Sequence, residues 1–585
     1  MKKKLIPGLL FVFSLAFLPA LSGQQDPNTV IATISNEPIT TGEFLSSFKK
    51  NNQLSKTTPE ELREYLDLYI NFRLKVKEGL ALKIDTSRAF QRELNTYQQQ
   101  SAQQYLIDKD ISDKLMDEAL ERTKNYVRAS HILINCSPTA SPKDTLTAYN
   151  KAMEVREKIM NGLDFNEAAV LYSQDMSARE YINPRNNMLQ QGNKGDLGYF
   201  TVFNMIYPVE TAVYNTPVGS VSMPVRSEFG YHLVKVTDKI PAIETIEISH
   251  IFIRDSMARN EKMSNETRAK LNDIESKLKA GSSFEDMVKI YSDDTYTKEK
   301  DGVVDPFAPN RRAGNYVKTA ISLKPGEISA PFALSTGWYI IKLNKINYLE
   351  YDQDEASYYT RTRLGRDPRS HLSKQSLVNK LKKEYSFNES GKEAGIKYLQ
   401  KNLPETTFQS SSADFENLPG IDKQKPLFSF ADRQVTVKEF TRYLSRFKGV
   451  NMARGYHHFL LERYDAFVEE TIIAYEKDHL ESKYPEYREL MDEYHQGMVL
   501  YEINSQNVWG KAMQDSVGLT DFYESIKTNY PVEGSDPVEY KALGDIRSTV
   551  ITQYQDYLDK EWIRQLRAKY PVQINEQAFN AIFKK

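Results

Sequence analysis

Ser227–Val236 reads SEFGYHLVKV, and Ser335–Leu343 reads STGWYIIKL. Each is a glycine turn followed by an apolar alternation, the pattern of a half-buried strand. Where the first has His232 the second has Tyr339. Working outward, RASHILI (Arg128–Ile134) is echoed by EISHIFI (Glu247–Ile253), with His131 and His250 offset by 119. Gly162, Phe165 and Asp175 reappear as Gly281, Phe284 and Asp294 at the same offset. From Gly195 onward the offset is 107: Gly302, Gly326, Pro331 and Tyr339 answer Gly195, Gly219, Pro224 and His232. One indel between Asp175 and Gly195 accounts for both offsets, so the first copy carries twelve extra residues. A domain of about a hundred residues is duplicated. Each copy has a β-rich start, two helical stretches and a closing strand, which is an α+β unit.

A second repeat flanks the first. IATISNEPITTGEFLSSF (Ile31–Phe48) resembles FSFADRQVTVKEFTRYLSRF (Phe428–Phe447). Both read strand, turn, strand, then a Thr-x-x-Glu start into a helix. Apolar residues at helical spacing, such as Leu62, Leu66, Tyr69, Leu74 and Leu80, predict long helices after each. The expected spans are Pro59–Ile84 and Thr86–Thr123 at the front, and Tyr456–Lys483 and Tyr487–Gln514 at the back. Residues 536–585 read as a long helix and a final strand that closes the body against the N-terminal arm.

The bulk numbers agree with an exported multidomain chain. Its 585 residues suggest three to five domains, and the net charge of −2 argues against a nucleic-acid binder. Tyrosine outnumbers phenylalanine, 36 to 27, as suits surfaces both apolar and wet. Residues 1–23 have the form of a signal peptide, with Lys2–Lys4 ahead of a short apolar core. After its cleavage the expectation is a soluble chain without stable membrane insertion. Cys136 is the only cysteine, so no intramolecular disulfide is possible.

The first module resembles a parvulin-type peptidyl-prolyl isomerase. VRASHILI, YSQD, GDLGYF and SMPVRSEFGYHLVKV stand in that family's order. The whole layout resembles the SurA-type and PpiD-type exported chaperones. The resemblance implies an α+β fold: two tandem parvulin-like modules, each an antiparallel sheet with helices, between mainly helical chaperone segments. The expected divisions are 1–23, 24–125, 126–240, 244–347 and 348–585. It implies His131, Asp175, Ser227 and His232 as the catalytic group, and Leu197, Phe200, Met205, Val209 and Phe229 as the substrate-binding residues. Val209 stands where the family usually has a phenylalanine that grips the proline, which makes a shallower seat. Module 2 keeps His250 and Asp294 but has Tyr339, Arg312 and Leu334 for His232, Met205 and Ser227. Tyr316 restores an aromatic at the Val209 position. This copy reads as a parvulin fold with a degraded site, so activity is expected in module 1 alone.

The implied function is a periplasmic peptidyl-prolyl cis-trans isomerase and chaperone. Its implied partners are unfolded or nascent exported polypeptides, outer-membrane proteins among them. The alternative is a holdase that uses the modules as peptide grips. The chemistry needs no covalent step: the amide resonance barrier falls when a twisted bond sits in an apolar cleft. Adjacent strands are expected to bring the two histidine rings within hydrogen-bond reach of each other. No cofactor or metal is expected. The remaining histidines show no ligand spacing, and no Gly-x-Ser-x-Gly elbow appears. With only Lys143 in NCSPTASPKD, dependence on phosphorylated substrate is not expected.

Overall fold

The computed structural model describes residues 26–583, except 51, 183–186, 188, 261, 351, 411–414, 416–419, 451, 453 and 454. The signal peptide reading and five residues of the twelve-residue insertion lie outside the described residues. The described residues divide into two compact units, residues 26–105 with 474–583, and residues 106–473. These cuts cross the segments 24–125 and 348–585, because the helix Lys109–Thr123 and the chain up to 473 belong with the modules.

The first unit is built from both flanks. Its three-stranded antiparallel sheet orders Val572–Ile574, Val30–Ile34 and Glu37–Thr40, with Ala32 opposite Ile574. Helix Pro59–Ala81 starts on a Thr58/Glu61 capping box with proline at its first position. It buries Leu62, Leu66, Ile70 and Leu74 at helical spacing against Phe44, Leu566 and Phe579. The expected helix Thr86–Thr123 is instead two, Arg88–Ala102 and Lys109–Thr123.

In the second unit, residues 126–240 form a four-stranded antiparallel sheet. Its order is Asp196–Phe200, Asn125–Asn135, Gly230–Pro241 and Val225–Arg226. Strand alternation sorts the side chains. Ile132, Ile134 and Leu233 pack with Ala152, Val155 and Phe165 of helices Pro142–Met160 and Phe165–Tyr172. Val127, Ala129, Val234 and Val236 face the other way, against Phe200, Val209 and Val213. His131 and His232 share the parity of that second face.

Module 2 repeats this register. His131 pairs with Val234 and Leu133 with His232; His250 pairs with Ile341 and Phe252 with Tyr339. Gly195 has φ +84° and a Cβ there would sit 2.7 Å from the His131 carbonyl; Gly302 has φ +82° and a Cβ would sit 2.8 Å from the His250 carbonyl. That close approach lets the His131 and His250 amides bond the carbonyls of Gly195 and Gly302. The modules share one core, in which Tyr199, Tyr126 and Ile240 pack against Ile246, Phe307 and Tyr316.

The flanking repeat is also geometric. Ser35 and Ala431 occupy the same left-handed turn position, and Glu43 and Glu439 each accept the amide of Thr40 or Thr436. Beyond Ser429, Asn388 takes the strand edge by a pair of backbone bonds.

Candidate active site

The centre of module 1 is assembled from four local segments. His131 and His232 stand on neighbouring strands in diagonal positions, since His131 is opposite Val234. Their rings lie 5.8 Å apart at 18°, close to parallel. The diagonal register therefore stacks them, and no hydrogen bond joins them, contrary to the expectation from sequence; each ring has its own partner. His131 Nε2 is 2.8 Å from Asp175 Oδ2, within ion-pair range though not aligned as a straight hydrogen bond. His232 Nε2 is 2.7 Å from Ser227 Oγ. His232 Nδ1 is buried with no protein partner.

Electrostatics separate the two pairs. His131 holds the Asp175 carboxyl well below the usual carboxylate range, against its partial burial and with help from the Ser177 amide. Burial, followed by repulsion from His131, pulls His232 down to about 4. His232 is therefore a neutral ring at physiological pH. Ser227 Oγ accepts the Phe229 amide at 3.1 Å, which leaves its hydroxyl proton for His232.

The apolar residues separate in depth. Leu197 and Met205 are partly buried at the edge of the cluster. Phe200 and Val209 are 1% and 3% exposed, so they back the wall from within the core. Phe229 is 54% exposed, unlike the residues of that wall; its backbone braces Ser227 and Cys136.

Ser173 is not among the candidates read from sequence. It is fully buried, and its Oγ accepts the amides of Leu133 and Asp175 at 3.2 Å each. Ser292 makes the equivalent bonds to Phe252 and Asp294. The recurrence of this serine in YSQD and YSDD is the signal that could have found it.

The corresponding place in module 2 is filled. His250 Nδ1 is 2.8 Å from Tyr316 Oη, while Nε2 is 2.9 Å from Asp294 and 3.0 Å from Thr297 Oγ1. Tyr339 lies 5.6 Å from Tyr316, 4.8 Å from Phe252 and 6.0 Å from Phe332 between ring centroids. Burial pushes the Tyr316 hydroxyl well above its ordinary value and pulls His250 below its own. For Asp294 burial acts upward, but the bonds from His250 and Thr297 outweigh it. Among the described residues, no group of three or more His, Cys, Asp and Glu side chains is placed to hold a metal.

Two family profiles described as PPIC-type PPIase domains match residues 114–240 and 250–345. Both modules are PPIC-type parvulin domains. Chaperone SurA of Nitrosococcus oceani is 27% identical over 37% of this chain and 48% of its own length. Foldase protein PrsA 1 of Bacillus cereus is 39% identical over 24% of this chain and 39% of its own. The chain thus spans half or less of these two relatives. A solved Bacillus anthracis peptidylprolyl isomerase, PrsA, shares 31% identity over 23% of this chain and 59% of that one, with a TM-score of 0.17. The architecture is α+β: two tandem parvulin modules with helical flanks. Among the described residues, no helix is long and apolar enough to cross a membrane.

Proposed function

We propose that this chain is a periplasmic peptidyl-prolyl cis-trans isomerase and chaperone, with turnover confined to module 1. Its clients are unfolded or nascent exported polypeptides, outer-membrane proteins among them. The observation that carries this reading is the contrast between the two histidine sites. In module 1 the His232 ring is neutral and keeps an unpaired nitrogen, whereas in module 2 both His250 nitrogens are engaged.

The chemistry required is modest in kind and large in barrier. Unaided exchange of an Xaa-Pro bond takes roughly tens to hundreds of seconds. The twisted amide has lost its charge-separated resonance form, so an apolar wall of Leu197 and Met205 favours it over the planar one. Neutral His232, fixed by Ser227, adds a polar ring without adding a charge. The Asp175 carboxylate orients His131. These groups position and tune; none takes a proton in a covalent step.

A holdase without turnover is the second reading, favoured by Val209. A buried valine offers the proline ring less grip than an aromatic, and here it sits behind the wall.

Isomerisation of a short Xaa-Pro peptide separates the two. The wild-type chain should accelerate exchange, and His131→Ala/His232→Ala should lower kcat/KM at least tenfold. A wild-type rate equal to buffer leaves only the holdase, which suppression of aggregation of an unfolded β-barrel protein by the same double variant would then support.

A further inference from the structure

We propose that Arg369, outside both parvulin modules, is a positioning residue for the module 1 site. It fixes the segment 201–210, which carries Met205 and Val209. This rests on the isomerase reading of module 1.

Glu210 directly follows Val209 in the helix Tyr207–Asn215, and its side chain is 0% exposed. Each carboxylate oxygen takes two donors. Oε1 accepts Arg122 Nη1 at 2.7 Å and Arg369 Nη1 at 2.8 Å. Oε2 accepts Arg369 Nη2 and the Phe203 amide, both at 2.8 Å. Arg369 is also 0% exposed, and Asp367 Oδ1 steadies its Nε at 2.8 Å. Its guanidinium carbon lies 4.7 Å from the Phe203 ring and 4.5 Å from the Tyr207 ring.

These contacts enclose Met205 in sequence. Phe203 lies two residues before it and Tyr207 two after, and both touch Arg369. Phe203 has φ +65°, a left-handed conformation that a phenylalanine holds only when its surroundings impose it. The Phe203 amide bond to Glu210 is such an imposition. An apolar side chain would suffice to dock the turn Pro368–Ser370 on module 1, at lower desolvation cost. A planar fork does something else: two parallel bonds fix direction as well as distance. The helical segment after module 2 thus supplies a part that sets the wall of module 1.

The full chain carries the test. Arg369→Met should speed hydrogen exchange of the Phe203 amide at least tenfold, under conditions where circular dichroism is native. It should lower kcat/KM for an Xaa-Pro peptide at least fivefold, with KM rising more than kcat falls. Arg369→Lys keeps the charge without the fork, so it should recover melting temperature but not Phe203 protection. Lys374→Met breaks the partly exposed pair with Glu469 and should change neither readout. A lower melting temperature with unchanged Phe203 exchange and unchanged KM overturns the proposal and leaves Arg369 a docking contact. If Arg369→Met does not fold, the Lys variant decides by the same two readouts. A wild-type chain without isomerase activity removes the isomerase reading, and Phe203 exchange then decides for or against the positioning.

Discussion

His232 shows how burial does chemical work at a single residue. The residue is 4% exposed and its folded pKa is about 4, against about 6.5 for a free histidine. Between those values the unfolded chain binds the extra proton, so stability rises with pH across this window. The contribution is complete above about pH 6.5 and is lost as pH falls toward 4. A difference of that size corresponds to about 3 kcal/mol. Asp175 acts in the same sense at lower pH, because its carboxyl is held below the unfolded value and must be protonated in acid. Module 1 should therefore loosen in acid well before its surface carboxylates are neutralised. Ring-proton NMR of the folded chain should find His232 titrating near pH 4. A midpoint near that of a free histidine would show that the ring is solvated and the buried site wrong.

At the scale of strands and helices, local rules made most of the fold legible. The offsets 119 and 107 survive as matched ladder pairs in the two modules. The turn glycines match as well: the Gly219 amide donates to the Val236 carbonyl and the Gly326 amide to the Leu343 carbonyl, at 2.7 Å each. Alternation, turn glycines and capping boxes act over a few residues, so a sequence displays them. The outward turn of Phe229 and the depth of Phe200 and Val209 depend on packing and were not visible. Nor was the Glu210–Arg369 pair, whose members are 159 residues apart with no shared motif. The same distinction bears on module 2. Register puts residue 339 where His232 stands in module 1, yet the aromatic group around Tyr316 fills the space beside it. In the His131→Ala/His232→Ala chain, Tyr339→His should therefore leave peptide isomerisation at the level of that double variant, since Tyr316 still occupies His250. It should also cost about 1 kcal/mol for each lost aromatic pair. Recovery of half the wild-type rate would show that the exchange at residue 339 alone had silenced the module.

Across the whole molecule, connectivity divides the labour of folding. The second unit is one unbroken stretch, 106–473, whereas the first needs both flanks. Its sheet is complete only when Val572–Ile574 pairs with Val30–Ile34, and Asn575 bonds the Val30 carbonyl across 545 residues of chain. Leu566 and Phe579 fill the same core as Ile31 and Phe44. Contacts that distant carry the loop-closure cost before any burial offsets it. A folded second unit shortens the effective loop, so order in 106–473 should come first. Pulse-labelled hydrogen exchange during refolding of the full chain should then show protection of the strands Asn125–Asn135 and Gly230–Pro241 before that of Val30–Ile34. Simultaneous protection of the two units would mean that they fold as one cooperative body. Protection of Val30–Ile34 first would mean that the flanks find each other without help from the unit between them.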